Sequence, residues 1–374
     1  METNKVLNVF FKNIKVGTLA ITKEKTVGFE YDDEWIKTGF SISPFSLPLK
    51  KQLFICNKPY FDGLFGVFAD SLPDAWGNLL LNRMLKDNKI DIENMNILDR
   101  LAIVGSSGMG ALEYKPSFNS NIINENINLD KLAMECKKIL ESSPCNSLEQ
   151  LYFLGGSSGG ARPKILVNFN NEDWIIKFNS HLDDQNSGKI EFDYYLCAKK
   201  CGIDMMDSKL FPSKTNSGYF GTKRFDRLNN NKQHMISVAA LLELDFNTPS
   251  MDYHILMKLI KIITNNNYYD IRQMFKRMCF NVFAHNRDDH SKNFSFIYNE
   301  QEKTYRLSPA YDLIYSNTYF GEHTTTIDGN GKNPSEKELL KVGVSAGLSK
   351  KECLETLNNI KKIVFEDLNV YLNN

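Results

Sequence analysis

The chain has 374 residues, of which 42% are hydrophobic and 24% charged, and this composition excludes a globally disordered protein. Lys plus Arg and Asp plus Glu both number 45, so a net charge of zero provides no general attraction to nucleic acid. Seven cysteines without a CxxC pair fit a reducing compartment. No stretch approaches about 18 uncharged apolar residues and no apolar leader is visible, so we expect a cytoplasmic protein without membrane contact.

The first third of the sequence predicts a small sheet followed by helices. Residues 6–31 alternate apolar and polar side chains between glycines, which is typical of a β-meander. Asp70, shortly before a proline, is expected to cap a helix over 75–85, and residues 96–105 predict a second helix that ends at a glycine. Residues 116–128 are rich in Asn, Ser and Ile without a period, which favours a loosely structured connection.

From Leu151 the pattern changes to a glycine-rich loop, two strands and a helix, and after about residue 235 it is mostly helical. One helical stripe is rich in Met and aromatic residues, and we interpret it as core; its members are Ile271, Met274, Phe275, Met278 and Val282. We therefore divide the chain into 1–116, 117–235 and 236–374, which are a β/α subdomain, a part with the glycine-rich loop and a helical part.

The glycine-rich segment 154–164, LGGSSGGARPK, is the first candidate site. Its glycines let backbone N–H groups approach a phosphate, and Lys164 at the start of the next strand could reach phosphate oxygens. The spacing matches neither GxxxxGK[ST] nor GxGxxGxV, so a flexible hairpin without a ligand is the alternative.

A lysine on a short apolar strand is the second candidate. Lys177 ends WIIK, and the predicted helix that follows carries Glu191. Protein kinases use a strand lysine and a helix glutamate to hold the phosphates of the nucleotide. The alternative is an ordinary lysine at a strand end.

The segment 286–293, NRDDHSKN, is the strongest candidate because so many polar groups between apolar segments would be costly to bury without a ligand. Kinase catalytic loops place an Asp as proton acceptor and, after four residues, an Asn for Mg²⁺, and Asp288 and Asn293 have that spacing. Asp312 follows a strand and a Ser-Pro turn, where a second metal-binding Asp is expected. A solvated charged loop and a capping Asp are the alternatives.

Four segments together resemble the HipA family of bacterial serine/threonine kinases, the toxins of toxin–antitoxin modules; they are 159–164, RFDR at 224–227, NRDDHSKNFSF at 286–296 and LSPAYDL at 307–313. DSLPDAW and VGSSGMGALEY are similar to motifs of the family's N-terminal subdomain. The resemblance extends from about residue 5 to 370. It implies an α+β, two-lobed protein-kinase-like fold with an N-terminal β/α subdomain and a mostly helical C-terminal lobe.

The resemblance also implies roles in the catalytic loop and the metal site. Asp288 would be the catalytic base on the substrate hydroxyl, with His290 beside it, and Asn293 and Asp312 would hold Mg²⁺.

On the ATP side, the resemblance implies that Lys177 and Lys164 bind the nucleotide phosphates and that Lys223 to Phe225 form the hinge that contacts adenine. The family autophosphorylates a loop serine, which would be Ser157 or Ser158. The loop here lacks the AGxQxK pattern that is more usual in the family.

The expected function is transfer of the ATP γ-phosphoryl group to Ser or Thr of a protein, with an aminoacyl-tRNA synthetase as one candidate substrate. ATP and Mg²⁺ are the expected cofactors. The resemblance implies growth inhibition, limited by autophosphorylation, and a helix-turn-helix antitoxin partner that would bring in DNA only indirectly. The alternatives are a kinase of the same fold that acts on a small molecule or lipid, and a non-catalytic antitoxin-binding corepressor.

Overall fold

The structure is a computed structural model of the chain. It describes residues 4–58, 60–90, 92, 94–117, 127–156, 159–180, 185–229, 231–245, 248–318 and 320–372. The chain folds into two compact units. Unit 1 comprises Met1–Gly188 and Leu210–Asp245, and unit 2 comprises Lys189–Lys209 and Phe246–Asn374. Among the described residues, no helix has the length and apolar character needed to cross a membrane.

In chain order, the strands are β1 (Val6–Phe11), β2 (Ile14–Ile21), β3 (Val27–Tyr31), β4 (Leu53–Ile55), β5 (Leu112–Lys115), β6 (Lys164–Phe169), β7 (Glu172–Lys177), β8 (Ser208–Phe211), β9 (Tyr219–Lys223), β10 (Arg227–Leu228), β11 (Asn231–Lys232), β12 (Met235–Ser237), β13 (Met251–Asp252), β14 (Ser295–Asn299), β15 (Thr304–Leu307) and β16 (Thr325–Thr326). The helices are α1 (Asp33–Thr38), α2 (Gly66–Ala69), α3 (Ala75–Asp87), α4 (Ile97–Val104), α5 (Leu129–Leu140), α6 (Leu148–Gly155), α7 (Ser187–Lys200), α8 (Val238–Leu242), α9 (Tyr253–Ile263), α10 (Tyr268–Phe283), α11 (Glu336–Ser345) and α12 (Lys350–Leu372).

The predicted meander is the start of an antiparallel sheet in unit 1, with the strand order β4-β3-β2-β1-β5. Its inner face is aromatic. The rings of Phe11, Trp35 and Phe40 meet edge to face or tilted, with centroids 5.3 to 5.7 Å apart. Such pairs add to the free energy gained from burying the rings, which explains how a small sheet has a stable core.

A second core in unit 1 joins helices to the next sheet. β6 pairs with β7 and β7 with β9, both antiparallel. Trp76 and Leu80 of α3 are buried in one cluster with Leu151 of α6, Ile165 of β6 and Ile176 of β7. The glycine-rich segment connects α6 to β6, so both of its ends are attached to elements of this core.

The start of α3 differs from the prediction. Asp74, not Asp70, is the N-cap residue. The Asp70 carboxylate instead accepts hydrogen bonds from the backbone N–H (2.6 Å) and hydroxyl (2.8 Å) of Ser237. The helix cannot begin at Asp70 because Leu72 precedes Pro73, and a residue before proline is disfavoured in the helical conformation. The connection predicted over 116–128 lies mostly outside the described residues.

Unit 2 contains the long helices. The predicted Met and aromatic stripe of α10 is confirmed as core, because all five members are buried. The last helix, α12, presents a buried row with helical spacing to the rest of the unit: Cys353, Leu357, Ile360, Val364 and Leu368. The capping box before α11 is formed by Ser335 and Glu338.

A buried charge network ties two of the motifs of unit 1 together. Asp226 accepts bonds from Arg224 (Nη2, 2.7 Å) and Arg227 (Nη1, 2.8 Å), and from the backbone N–H of Gly110 (2.7 Å). Both arginines also donate to the carbonyl of Gly108. Burial alone would raise the pKa of Asp226, but the two guanidinium charges outweigh it and lower this pKa to about 2.

This network predicts an acid-sensitive part of the stability. Because the folded pKa of Asp226 lies below its ordinary value of 3.8, the carboxylate contributes its full stabilisation above about pH 5, and the contribution falls as the pH approaches about 2. Over that range we expect the free energy of unfolding to decrease by roughly 2 kcal/mol from this group. Denaturant unfolding at several pH values measures the decrease. It should be smaller in Asp226→Asn, and equal slopes in the two proteins would contradict the assignment.

Candidate active site

The loop that follows α10 begins with a sharp reversal. Ala284 caps the helix, and His285 has a φ of 52°, so the chain leaves the helical direction at this residue. The loop 286–293 then ends in a 3-10 turn at Ser291–Asn293, just before β14. The strongest candidate segment of the sequence is therefore a loop held between a buried helix and a strand.

Asp289 anchors this loop through buried hydrogen bonds. Its carboxylate is fully buried and accepts hydrogen bonds from the Tyr253 hydroxyl (2.9 Å), the Thr325 N–H (3.0 Å) and His323 Nδ1 (3.0 Å). The Thr325 hydroxyl donates to the Asp289 carbonyl at 2.5 Å. Burial, together with the charge of Asp289, raises the pKa of Tyr253, which keeps the phenol protonated as a donor. These bonds fix the loop to the start of α9 and to β16.

Asp288, the adjacent residue, is exposed. Its side chain retains 57% of its accessible surface, and His290 Nε2 lies 3.9 Å from its Oδ1. Asn293 Nδ2 donates to the Asp288 carbonyl at 2.7 Å, and Asn293 N–H donates to the His290 carbonyl at 2.9 Å. The backbone of Asp288 is thus held by the loop itself while its carboxylate faces water.

The structure brings the Asp312 segment alongside the end of this loop. The hydroxyl of Tyr311 donates to the Lys292 carbonyl at 2.7 Å and lies 3.2 Å from the Ser295 hydroxyl oxygen. Asp312 follows directly, half-buried and with a φ of 53°, which is uncommon for a residue other than glycine. The residues directly before Asn293 and Asp312, Lys292 and Tyr311, are therefore in contact.

Within the described ranges, no group of three or more His, Cys, Asp and Glu side chains could hold a metal ion. This finding excludes a zinc-type cluster from that part of the chain. It does not apply to an Asp with an Asn, because Mg²⁺ is commonly held by one or two protein oxygens plus substrate phosphates.

The two candidate lysines of unit 1 are cross-strand partners. Lys164 on β6 lies directly opposite Lys177 on β7, so both side chains belong to the same face of the sheet. Like charges in this position repel each other, and an anion bound by both would relieve the repulsion. The ammonium of Lys164 donates to the Gly159 carbonyl, and that of Lys177 lies 5.7 Å from the centre of the Phe220 ring. The pairing favours an anion site at this edge.

The glycine-rich loop is shorter than the sequence predicts. Leu154 and Gly155 belong to the last turn of α6 rather than to the loop. Gly155 packs closely against β6, because a Cβ there would lie 2.3 Å from the Lys164 carbonyl oxygen. Gly160 has a φ of 90°, which favours glycine. Ser157 and Ser158, the predicted phosphorylation sites, lie outside the described residues.

The predicted adenine contacts lie at the end of β9. Lys223 Nζ is 2.6 Å from the Glu172 carboxylate and 5.7 Å from the centre of the Trp174 ring, and Phe225 is half-buried. Glu191 is buried in α7 and belongs to unit 2, whereas Lys177 belongs to unit 1. The hinge role and the lysine–glutamate pairing stay predictions.

Sequence reasoning did not find the partners of Asp289. These partners are 34 to 36 residues away in the sequence: Tyr253 precedes Asp289, and His323 and Thr325 follow it. None of them belongs to a recognisable motif. The one available signal was the repeated Asp, since neighbouring side chains of an extended loop point in opposite directions and only one of them could face solvent.

Two family models match the chain: the HipA N-terminal domain over residues 7–115 and the HipA-like C-terminal domain over residues 156–367. A curated Sinorhizobium fredii protein named Putative kinase Y4dM is 28% identical over 203 residues, which cover 49% of this chain and about half of that protein (48%). A solved structure of Shewanella oneidensis HipA, in complex with HipB and operator DNA, is similar to this chain. The match covers 98% of this chain and 91% of the Shewanella chain. The TM-score is 0.73 at 17% identity, so this likeness shows the fold, and the predicted fold class is confirmed.

The contrast between the two adjacent aspartates gives a matched test of the loop's construction. Asp289→Asn places an amide N–H₂ among hydrogen-bond donors, so we expect it to lower the free energy of unfolding by roughly 2 to 3 kcal/mol. Asp288→Asn, at an exposed position, should change it by no more than about 0.5 kcal/mol. Urea unfolding of both variants measures the difference, and equal losses would show that Asp289 does not anchor the loop.

Proposed function

Since the chain belongs to the HipA family, we propose that it is an ATP-dependent kinase that transfers the γ-phosphoryl group to a Ser or Thr hydroxyl of a protein. One observation carries the proposal. The backbone of Asp288, which carries an exposed carboxylate, is held by its buried neighbour Asp289 on one side and by Asn293 on the other. Phosphoryl transfer depends on positioning and charge stabilisation, and this arrangement supplies the first of them.

Asp288 is the group that orients the acceptor. Its carboxylate is open to solvent, so a substrate hydroxyl can donate a hydrogen bond to it and transfer the proton as the new bond forms. His290 Nε2 lies 3.9 Å from Asp288 Oδ1, which is too long for a direct hydrogen bond. We therefore assign His290 to the loop's conformation, where its Nδ1 accepts the Lys292 N–H.

Asn293 and Asp312 would hold Mg²⁺. The Asn293 amide gives its Nδ2 to the Asp288 carbonyl, which leaves Oδ1 as the atom offered to a cation, and Asp312 provides a carboxylate. This donor set fits a hard divalent cation that completes its coordination with phosphate oxygens and water. When bound, the metal supplies positive charge that neutralises the phosphates.

The nucleotide phosphates would be bound by Lys164 and Lys177. Their cross-strand pairing on one sheet face supports this role, and the Lys164 ammonium contacts the Gly159 carbonyl of the adjoining glycine-rich segment. Lys223 to Phe225, at the end of a neighbouring strand, would contact the adenine. ATP is the nucleotide that the proposal requires.

The partner and the location follow from the family. The Shewanella HipA is bound to HipB and operator DNA, and we propose a helix-turn-helix antitoxin as the partner of this chain, with DNA contacted through it. A toxin that phosphorylates a cytoplasmic protein acts in the cytoplasm. The substrate class is a protein hydroxyl, and a synthetase for aminoacyl-tRNA is one candidate.

The proposed kinase is self-limited by phosphorylation of its own loop at Ser157 or Ser158. A phosphate there adds about −1.5 to −2 charges, which would repel the phosphates of ATP. Peptide mass spectrometry of the wild-type protein, after incubation with ATP, should find this phosphate between Gly155 and Lys164. A fully active protein that carries none would contradict this step.

The first test of the function is Asp288→Asn. Because it removes the proton acceptor, transfer of radiolabelled γ-phosphate to mixed cytosolic proteins should fall by about 100-fold or more. Asp87→Asn makes the same chemical change at an exposed helix end and should retain full activity. Full activity in Asp288→Asn would refute the assignment, label on a small molecule or lipid would favour the related kinase, and no label in the wild type would favour the corepressor.

The second test concerns the metal. Asp312→Ala removes the carboxylate ligand, and we expect the affinity for ATP in the presence of Mg²⁺ to fall by at least about tenfold. Calorimetry measures the affinity, with Asp87→Ala as the control. Chelation of Mg²⁺ should bring the wild type down to the level of the variant; an unchanged affinity in Asp312→Ala would contradict the ligand assignment.

A further inference from the structure

Asp74 is an N-cap residue that does not cap its own helix. The N-cap side chains of α1, α4, α5 and α8, which are Asp32, Asn96, Asn128 and Ser237, all accept a backbone N–H of the helix that follows them. Asp74 makes no such bond to α3. Its Oδ2 accepts the N–H of Gly160 in the glycine-rich segment, 86 positions along the chain, at 2.7 Å. The loss of an N-cap hydrogen bond typically lowers the stability of a helix by about 1 kcal/mol. The Asp74 carboxylate therefore binds Gly160 at a cost to the stability of α3.

Other groups at the start of α3 hold the same segment. The Trp76 N–H donates to the Gly160 carbonyl at 3.4 Å, and its indole Nε1 donates to the Lys164 carbonyl at 3.2 Å. A Cβ on Gly77 would lie 2.4 Å from the carbonyl oxygen of Gly156. Trp76 is buried in the core that α3 shares with β6, so these donors have a rigid base. The first turn of α3 therefore touches the glycine-rich segment at its beginning, at Gly160 and at its end.

The lysine that ends the segment, Lys164, binds a backbone carbonyl of the same segment. Lys164 is buried, and its ammonium donates to the carbonyl of Gly159, the residue before the one that Asp74 holds. Displacement of Gly160 from Asp74 would also displace the acceptor of Lys164. The Asp74 contact thus holds the Gly160 N–H directly and, through the Gly159 carbonyl, the acceptor of the Lys164 ammonium.

We propose that Asp74 is a positioning residue for the nucleotide: it holds Gly159 and Gly160 in the conformation that binds the phosphates, and it sets the affinity for ATP without touching it. The inference rests on the proposed kinase function. A glycine-rich backbone has large conformational freedom, which must be lost when a ligand binds. A segment that is already ordered by Asp74 has lost that freedom beforehand and binds more tightly.

The experiment compares Asp74→Ala with Asp74→Asn. Alanine removes the acceptor, whereas the amide oxygen of asparagine can still accept the Gly160 N–H. In the protein without nucleotide, hydrogen exchange at Gly159 to Arg162 should be about tenfold faster in Asp74→Ala and close to wild type in Asp74→Asn. The KM for ATP should rise by about tenfold in Asp74→Ala only, with kcat at saturating ATP within about twofold of wild type.

Asp32→Ala is the matched control because it also removes an N-cap aspartate of unit 1, one that does cap its own helix. It should lower the melting temperature without changing exchange in the glycine-rich segment or the KM for ATP. If general destabilisation were the cause, Asp32→Ala would also change the exchange of the glycine-rich segment and the KM for ATP. This control therefore separates positioning from general destabilisation.

Three results would overturn the inference. Exchange or KM in Asp74→Ala that equals the wild type would show that the contact does not order the segment. Tighter ATP binding in both Asp74 variants would show that the carboxylate competes with the phosphates instead of supporting them. A wild-type protein that binds no ATP would refute the kinase proposal and the nucleotide step together, and the wild-type titration identifies that case before the variants are compared.

Discussion

The hydrogen bonds that converge on the buried carboxylate of Asp289 determine what the loop of unit 2 can do. A buried charge is costly unless it is fully bonded, and here a phenol, a ring nitrogen and a backbone N–H all bind it. Once Asp289 points into the unit, the preceding Asp288 has to point outward. The Asn293 amide donates a hydrogen bond to the Asp288 carbonyl. The buried contacts of Asp289 therefore fix the position of the exposed Asp288 and, through this bond, of the Asn293 amide.

Unit 1 builds its site by a different principle. There the elements are a sheet edge with two opposed lysines and a glycine-rich segment that has little structure of its own. Order is supplied by α3, whose first turn gives up its own cap to bind the segment. The proposed acid site therefore depends on burial within one unit, whereas the proposed anion site depends on a helix from the N-terminal part of the chain.

Local patterns in the sequence were sufficient for most elements and for the position of the candidate residues. Alternation predicted β1 to β3 and helical spacing predicted α10. The kinase-like role inferred from the gap between Asp288 and Asn293 stays a prediction. The contacts that give these residues their roles were not predictable. Lys164 faces Lys177 because of strand register, and Asp74 binds Gly160, 86 positions further along the chain. Such pairings between distant positions leave no periodic trace in a single sequence.

We propose that the chain moves the terminal phosphate of ATP to a protein hydroxyl. The most direct measurement incubates the wild-type protein and Mg²⁺ with cytosolic proteins and ATP labelled either at the γ- or at the α-phosphate, followed by acid hydrolysis of the labelled proteins. We expect label on phosphoserine or phosphothreonine from γ-labelled ATP alone. Label transferred from the α-phosphate, or no protein label from either nucleotide, would contradict it.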